Sequence, residues 1–198
     1  MKIGPKYKIC RRLNDKVFAK CQTTKFSISG SAQNKTFKKR GWRNASEYGS
    51  QLLEKQKARY TYGMNERQFA QYVKKHREQA GLFSALETRL DNVVFRLGWV
   101  TSRAAARQAV THGHIVVNDR RLSIPSYQVK IGDRIKIMTT SRNLGLFRGL
   151  EERLKDYQTA AWLAVETVGE GAILATPLAG GTEMNLDFGA IIDFYSRV

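Results

Sequence analysis

Acidic residues are in short supply in this chain. Its 198 residues carry 34 Lys and Arg against 17 Asp and Glu, a formal net charge of +17, and the pI is near 10.1. A folded protein this basic calls for a polyanionic partner, with nucleic acid first and an anionic membrane surface as the alternative. Cysteine is nearly absent. Cys10 and Cys21 are the only two, and they lack the close-paired spacing of zinc ligands; free, reduced thiols are expected. His76, His112 and His114 are the only histidines. His76 has no cysteine or second histidine nearby. The other two fall in a helix-to-strand turn among basic residues, which suits RNA contact or turn packing better than acid–base chemistry. No metal site, cofactor or catalytic residue is therefore expected, and no phosphate-cradling G-x-x-x-x-G-K-[ST] run occurs. No apolar run approaches the ~20 residues that cross a bilayer. Residues 1–6 lack the apolar stretch and cleavage site of a secretory signal. Hydrophobic residues still make up 42 %, which excludes a wholly disordered basic tail.

The charge is unevenly placed. Residues 1–80 hold 20 Lys and Arg against 5 acids, a net of +15, and residues 81–150 hold 11 against 4, a net of +7. Residues 151–198 reverse the balance, with 3 against 8, a net of −5. Polyanion binding is thus expected from the amino-terminal and central parts, and protein or solvent contact from the tail.

The stretch from Arg89 to Ile137 organises the rest. Leu90, Val93, Val94 and Leu97 recur at i, i+3, i+4, i+7 and mark one apolar helical face. Thr101 or Ser102 can cap a second helix over Arg103 to Val110, thin because it is rich in alanine. The period then changes. Ile115, Val116 and Val117 are β-branched, Asn118-Asp119 is a turn pair tolerant of positive φ, and Arg120-Arg121-Leu122 is the returning arm of a hairpin. Ser126 to Lys130 and Arg134 to Ile137 read as a second strand pair, broken at Gly132-Asp133.

Before this unit, residues 1–45 form a basic extension whose densest patch, Thr36 to Arg43, interleaves cations with Phe37 and Trp42, a mixture suited to phosphate contact and base stacking. Residues 46–88 read as helices. Leu52, Leu53, Gln56 and Tyr60 share a face, with Lys55, Lys57 and Arg59 projecting elsewhere. A second helix begins near Asn65, buries Phe69, Tyr72 and Val73, and ends at Gly81 with a basic last turn. After the central unit, residues 144–154 read as a helix, Ala161 to Val165 and Ala172 to Ala175 as strands, and Ile191 to Tyr195 as a final strand.

Arg89-Leu90-Asp91, Ser102-Arg103, Ala106-Arg107-Gln108, His112-Gly113-His114, Val117-Asn118, Pro125-Ser126-Tyr127 and Gly132-Asp133 together resemble the S-four RNA-binding domain. Ser46-Glu47-Tyr48-Gly49, Leu52 to Lys57, Tyr62-Gly63, Glu66 to Phe69, Leu86 to Val94 and the ending Asp193 to Arg197 extend the likeness to the S-four family of small-subunit ribosomal proteins. Two features depart from it. Many members carry four zinc-binding cysteines near the amino terminus, of which only Cys10 has a counterpart here, and the loop before the basic patch keeps little of the family's Pro-Gly-Gln-His-Gly.

The resemblance implies an α+β fold: a basic helical domain (46–88) behind the 1–45 extension, an inserted α-α-β RNA-binding module (89–150), and a short β-rich segment (151–198) that packs back on the helical domain. It implies a structural constituent of the small ribosomal subunit, in bacterial cytoplasm or the mitochondrial matrix. The protein would bind small-subunit ribosomal RNA at a helix junction, nucleate assembly, touch neighbouring small-subunit proteins and help line the channel by which messenger RNA enters. The expected RNA contacts are Ser102, Arg103, Arg107, Gln108, His112, Asn118, Arg120 and Arg121, with Lys55, Lys57, Arg59 and Arg67 from the helical domain. Lys38, Lys39, Arg40 and Arg43 map to the messenger-RNA channel. For Arg107 the competing reading is an ion pair with Asp91, and for Tyr127 a place in the core. S-four modules also occur as appendages of pseudouridine synthases and tyrosyl-tRNA synthetase, but no segment here is long enough for a catalytic domain of the usual ~100–200 residues. The alternative is a stand-alone RNA-binding factor, such as one that rescues stalled large subunits.

Overall fold

The computed structural model describes residues 3–24, 26–28, 46–178 and 186–197. The chain divides into two units, Met1–Gln79 with Thr182–Val198, and Ala80–Gly181. The fold class is α+β, as expected.

The first unit is helical. α1 (Lys6–Leu13) is followed by a 3-10 turn at Ala19–Cys21. α2 (Glu47–Thr61) is capped by Ser46 Oγ on the Gly49 amide, and α3 (Glu66–Lys75) by Asn65 Oδ1 on the Gln68 amide. Cys10, Phe18, Cys21 and Phe26 form a small core against Ile3, Ile9, Val17, Ile28 and Tyr60. Both thiols are free and fully buried. Burial, together with the neighbouring Cys10, pushes the Cys21 thiol up to about 12, so it stays protonated and unreactive.

α4 (Gln79–Glu87) leads into the second unit, so Gly81 lies inside a helix rather than ending one. α5 (Leu90–Arg96) and α6 (Arg103–Thr111) follow. Leu90, Val93, Val94 and Leu97 are all fully buried, each stabilising the core by roughly 1.5–3 kcal/mol. β1 (Ile115–Val117) and β2 (Arg120–Leu122) form the expected hairpin, with φ of 47° at Asn118 and 62° at Asp119. β3 (Arg134–Ile137) pairs with β1, setting Ile115 opposite Ile137 and Val117 opposite Ile135.

Residues 126–130 form no strand. Arg89 and Gln128 make a single bridge, and the loop carbonyls of Tyr127 and Pro125 accept from the Leu90 and Asp91 amides at 2.9 and 3.1 Å. Those amides lack partners within the first turn of α5, so the loop satisfies the helix start instead of building a ladder.

α7 is shorter than the 144–154 pattern suggested, running Leu150–Lys155 after Gly149. β4 (Leu163–Thr167) and β5 (Glu170–Ile173) then complete an antiparallel sheet in the order β2-β1-β3-β5-β4. The segment after 150 is therefore not one block packed on the helical domain, because its strands extend the sheet of the central unit. Its end is also not a strand. Phe188–Ser196 is a helix, α8, capped by Asp187 Oδ1 on the Ala190 amide. Phe188, Ile191 and Phe194, spaced three apart, are its buried face against α2 and α3; the β-branched Ile191-Ile192 pair masked that helical period.

Candidate nucleic-acid interface

The start of α6 is built as a rigid lip. Ser102 is its N-cap, and its Oγ accepts from the Ala105 amide at 3.2 Å. Arg103 is anchored from behind: its Nε donates to Asn92 Oδ1 at 2.7 Å, and its guanidinium lies 4.5 Å from the centre of the Phe95 ring. Asn92 donates in turn to Glu87 Oε2 and to the Glu87 carbonyl, both at 3.0 Å. Glu87 also pairs with Arg96 at 2.8 Å, with both groups buried. The network fixes the Arg103 rotamer before any ligand arrives, which lowers the ordering cost of binding. Gln108, one turn on, is exposed, and Arg107 is half-buried. Asp91 is clasped by Arg89 through two hydrogen bonds of 3.0 and 2.8 Å.

The second basic element is the hairpin, at the other end of α6. Arg120 is exposed. Arg121 turns back onto the end of α6, its Nε donating to the Gly113 carbonyl at 3.0 Å and its Nη2 to the His112 carbonyl at 3.1 Å. A cation at a helix C-terminus is favoured by the exposed carbonyl dipoles. Gly113 has a φ of +71°, which L side chains rarely adopt, and a Cβ there would have to displace the Arg121 guanidinium. His112 is the exposed C-cap of α6. His114 Nδ1 lies 3.0 Å from Ser141 Oγ, and burial, with help from His112 and Arg121, holds its pKa below the ordinary histidine value. Asn118 is taken up in the turn itself: Nδ2 donates to Asp133 Oδ1 at 2.7 Å, and Oδ1 accepts from the Arg134 amide at 3.0 Å. These two bonds tie the β1–β2 turn to the start of β3. Tyr127 packs against the core of this unit.

The helical-unit cations depart most from expectation. Lys55 does not project outward. Its side chain is 7 % exposed, its Nζ is 2.8 Å from Glu66 Oε1, and it lies 4.7 Å from the Phe194 ring centre. Position 55 joins Gln51 and Ala58 on the buried stripe of α2, a 3–4 residue spacing that the lysine's charge concealed. Arg59 reaches Glu66 Oε2 at 3.2 Å, and Lys57 reaches Glu54 at 2.6 Å. Burial works to raise the Glu66 pKa, but hydrogen bonds from Lys55 and Tyr195 and the charges of Lys55 and Arg59 outweigh it and leave the carboxyl below its usual range. Arg67 is exposed. Lys38, Lys39, Arg40 and Arg43 lie outside the described residues.

Sequence reasoning missed the Glu87–Asn92–Arg96 support behind Arg103. The available clue was a polar Asn92 set inside the apolar run of α5. Among the described residues no group of three or more His, Cys, Asp or Glu side chains could hold a metal ion, and no helix is long and apolar enough to cross a membrane.

A capped, alanine-rich helix and a basic hairpin on one antiparallel sheet define an S4-type module, and the S4 domain family model matches residues 88–135. The model for the ribosomal protein S4/S9 N-terminal domain matches residues 1–90. The small ribosomal subunit protein uS4 of Roseiflexus castenholzii is 41 % identical over 205 residues, covering 98 % of each chain. That of Thermus thermophilus is 38 % identical over 206 residues, again covering 98 % of each. The uS4 protein of Roseiflexus sp. strain RS-1 is 45 % identical over 163 residues, which cover 78 % of this chain and 79 % of the relative. The chain belongs to the uS4 family of small ribosomal subunit proteins.

Proposed function

We propose that the protein is a structural constituent of the small ribosomal subunit, of bacterial type, that binds small-subunit ribosomal RNA through the two lips around α6. The observation that carries this is similarity to uS4 proteins along 98 % of both chains, with the S4 module in place. The curated relatives are small ribosomal subunit proteins along that same length, which supports a structural rather than an enzymatic role. Arg103 and the start of α6 face one side of the phosphate path, and Arg120 and Arg121 the other. Phosphate neutralisation supplies affinity, while the rigid anchoring of Arg103 and Arg121 selects RNA shape, since the deep, narrow A-form major groove excludes base readout. A rigid double lip fits a helix junction, a site from which assembly can be nucleated. Lys38, Lys39, Arg40 and Arg43 are proposed for the messenger-RNA channel by family resemblance, and the acidic side chains of the tail for a neighbouring small-subunit protein.

Sucrose-gradient fractionation of an extract tests the reading. Co-sedimentation with small subunits at moderate salt is expected. Recovery only in large-subunit or free fractions would overturn it in favour of a stand-alone factor.

A further inference from the structure

Within the helical unit, the end of α3 and one side of α8 enclose an open groove of about 550 Å³, lined by Val73, Lys74, Arg77, Ile192, Tyr195 and Ser196. That volume lies within the ~300–1,000 Å³ of pockets that receive small ligands. Its chemistry is divided. Val73, Ile192 and Tyr195 supply an apolar wall with one aromatic ring, whereas Lys74, Arg77 and Ser196 supply hydrogen-bond donors, and among the described residues no carboxylate lines it.

The ring is fixed in place. Tyr195 donates its hydroxyl to Glu66 Oε1 at 2.6 Å and packs against Phe69 and Phe194 at 6.2 and 5.4 Å between centres. Burial and the bonded Glu66 carboxylate both raise the phenol's pKa, so it stays neutral. The cations also stand apart from their neighbours. Lys55, Lys57 and Arg59 of the same unit each close on Glu66 or Glu54. Lys74, Lys75 and Arg77 are exposed and make no ion pair among the described residues.

We infer that this groove receives an unpaired nucleotide of the bound RNA, its base against the Tyr195, Ile192 and Val73 wall and its flanking phosphates on Lys74, Lys75 and Arg77. The inference rests on the ribosomal-RNA reading and adds a specific base-binding site to it. A planar apolar face with an anionic rim is what the lining complements, and an aromatic wall favours stacking by a base of any identity.

The experiment uses the full chain and a small-subunit ribosomal RNA transcript carrying 4-thiouridine, with ultraviolet crosslinking and peptide mapping. A crosslink within residues 186–197 is expected. It should be lost in Ile192→Trp, which fills the groove, and affinity should fall about tenfold in Arg77→Glu, an exposed change that leaves the circular dichroism spectrum intact. No crosslink in that segment, with unchanged affinity in Arg77→Glu, overturns the inference. An Arg120→Glu variant run in parallel separates the two readings. If Arg120→Glu weakens binding while the groove variants do not, only the nucleotide site fails; if none of them weakens it, the ribosomal-RNA reading fails as well. A groove shielded in the assembled subunit but never crosslinked to RNA would assign it to a protein segment and also overturn the inference.

Discussion

The cations of α2 and those around the end of α6 are held by different partners, and the partner decides what the charge can do. Lys55, Lys57 and Arg59 close on the carboxylates of Glu66 and Glu54, so an approaching phosphate meets pairs whose charges largely cancel. Arg121 closes on two backbone carbonyls. Carbonyl dipoles fix the guanidinium without carrying net charge, and its positive charge stays available beside exposed Arg120 and His112. Net charge therefore measures polyanion affinity only after the carboxylate-paired cations are set aside.

Removing Glu66 is the strongest way to break this comparison. In Glu66→Ala the buried Lys55 ammonium keeps its aromatic contacts but loses its carboxylate, and Arg59 and Tyr195 lose a partner with it. Breaking a fully enclosed pair costs ~3–5 kcal/mol. The Glu66 side chain is 45 % exposed, so solvent screening reduces the expected loss to about 2 kcal/mol, read by denaturant unfolding. RNA affinity of the folded protein should hold or rise, and a fall would mean that the α2 pairs do serve RNA. The carboxyl's lowered pKa has a pH consequence. Because its folded value lies below its unfolded one, the stability it contributes is complete at neutral pH and is lost as pH falls through the folded value. Glu66→Ala should flatten that acid limb.

The hairpin should behave in the opposite way. Arg120→Glu alters an exposed side chain, so stability should stay within ~0.5 kcal/mol. RNA affinity should drop roughly ten- to a hundredfold, and the salt dependence should lose about one phosphate contact. Arg121→Ala should do both in smaller measure. Removing the helix-end contacts costs about 1 kcal/mol, and the vacated charge weakens RNA binding several-fold in filter assays. Arg120→Glu with unchanged affinity would remove the hairpin from the interface.

Much of the central unit was legible because local rules and tertiary structure agree there. Ser102 caps α6, Asn118 and Asp119 take positive φ, and the α5 apolar face is fully buried. Reading failed where a residue's partner is far away in sequence. Lys55 looked solvated because Glu66 and Phe194 lie outside its local window. Residues 126–130 looked like a strand because nothing local shows that their carbonyls serve α5. Ile191-Ile192 suggested a strand until contact with α2 and α3 imposed the helical period. The anchoring of Arg103 by Asn92, eleven residues back, was out of reach for the same reason.

The smallest expected effect gives the most local measure of the difference between the two regions. His114 lies beneath the hairpin lip, and burial first, then the charges of His112 and Arg121, lowers its pKa. The neutral ring is the form the fold prefers. Its contribution to stability is thus present above the ordinary histidine value of about 6.5 and is lost as pH falls through the lowered folded value. If Arg121 truly keeps an uncompensated charge, Arg121→Gln should move the His114 pKa upward in an NMR titration, because one of the charges opposing protonation is gone. Bound RNA should move it upward too, since phosphates favour the imidazolium. Lys57→Gln, which removes a cation already paired with Glu54, should leave it where it is. An Arg121→Gln titration that coincides with that of the unmodified protein would mean that the carbonyl-held cation exerts no more field than the carboxylate-held ones, and the distinction between the two regions would not hold.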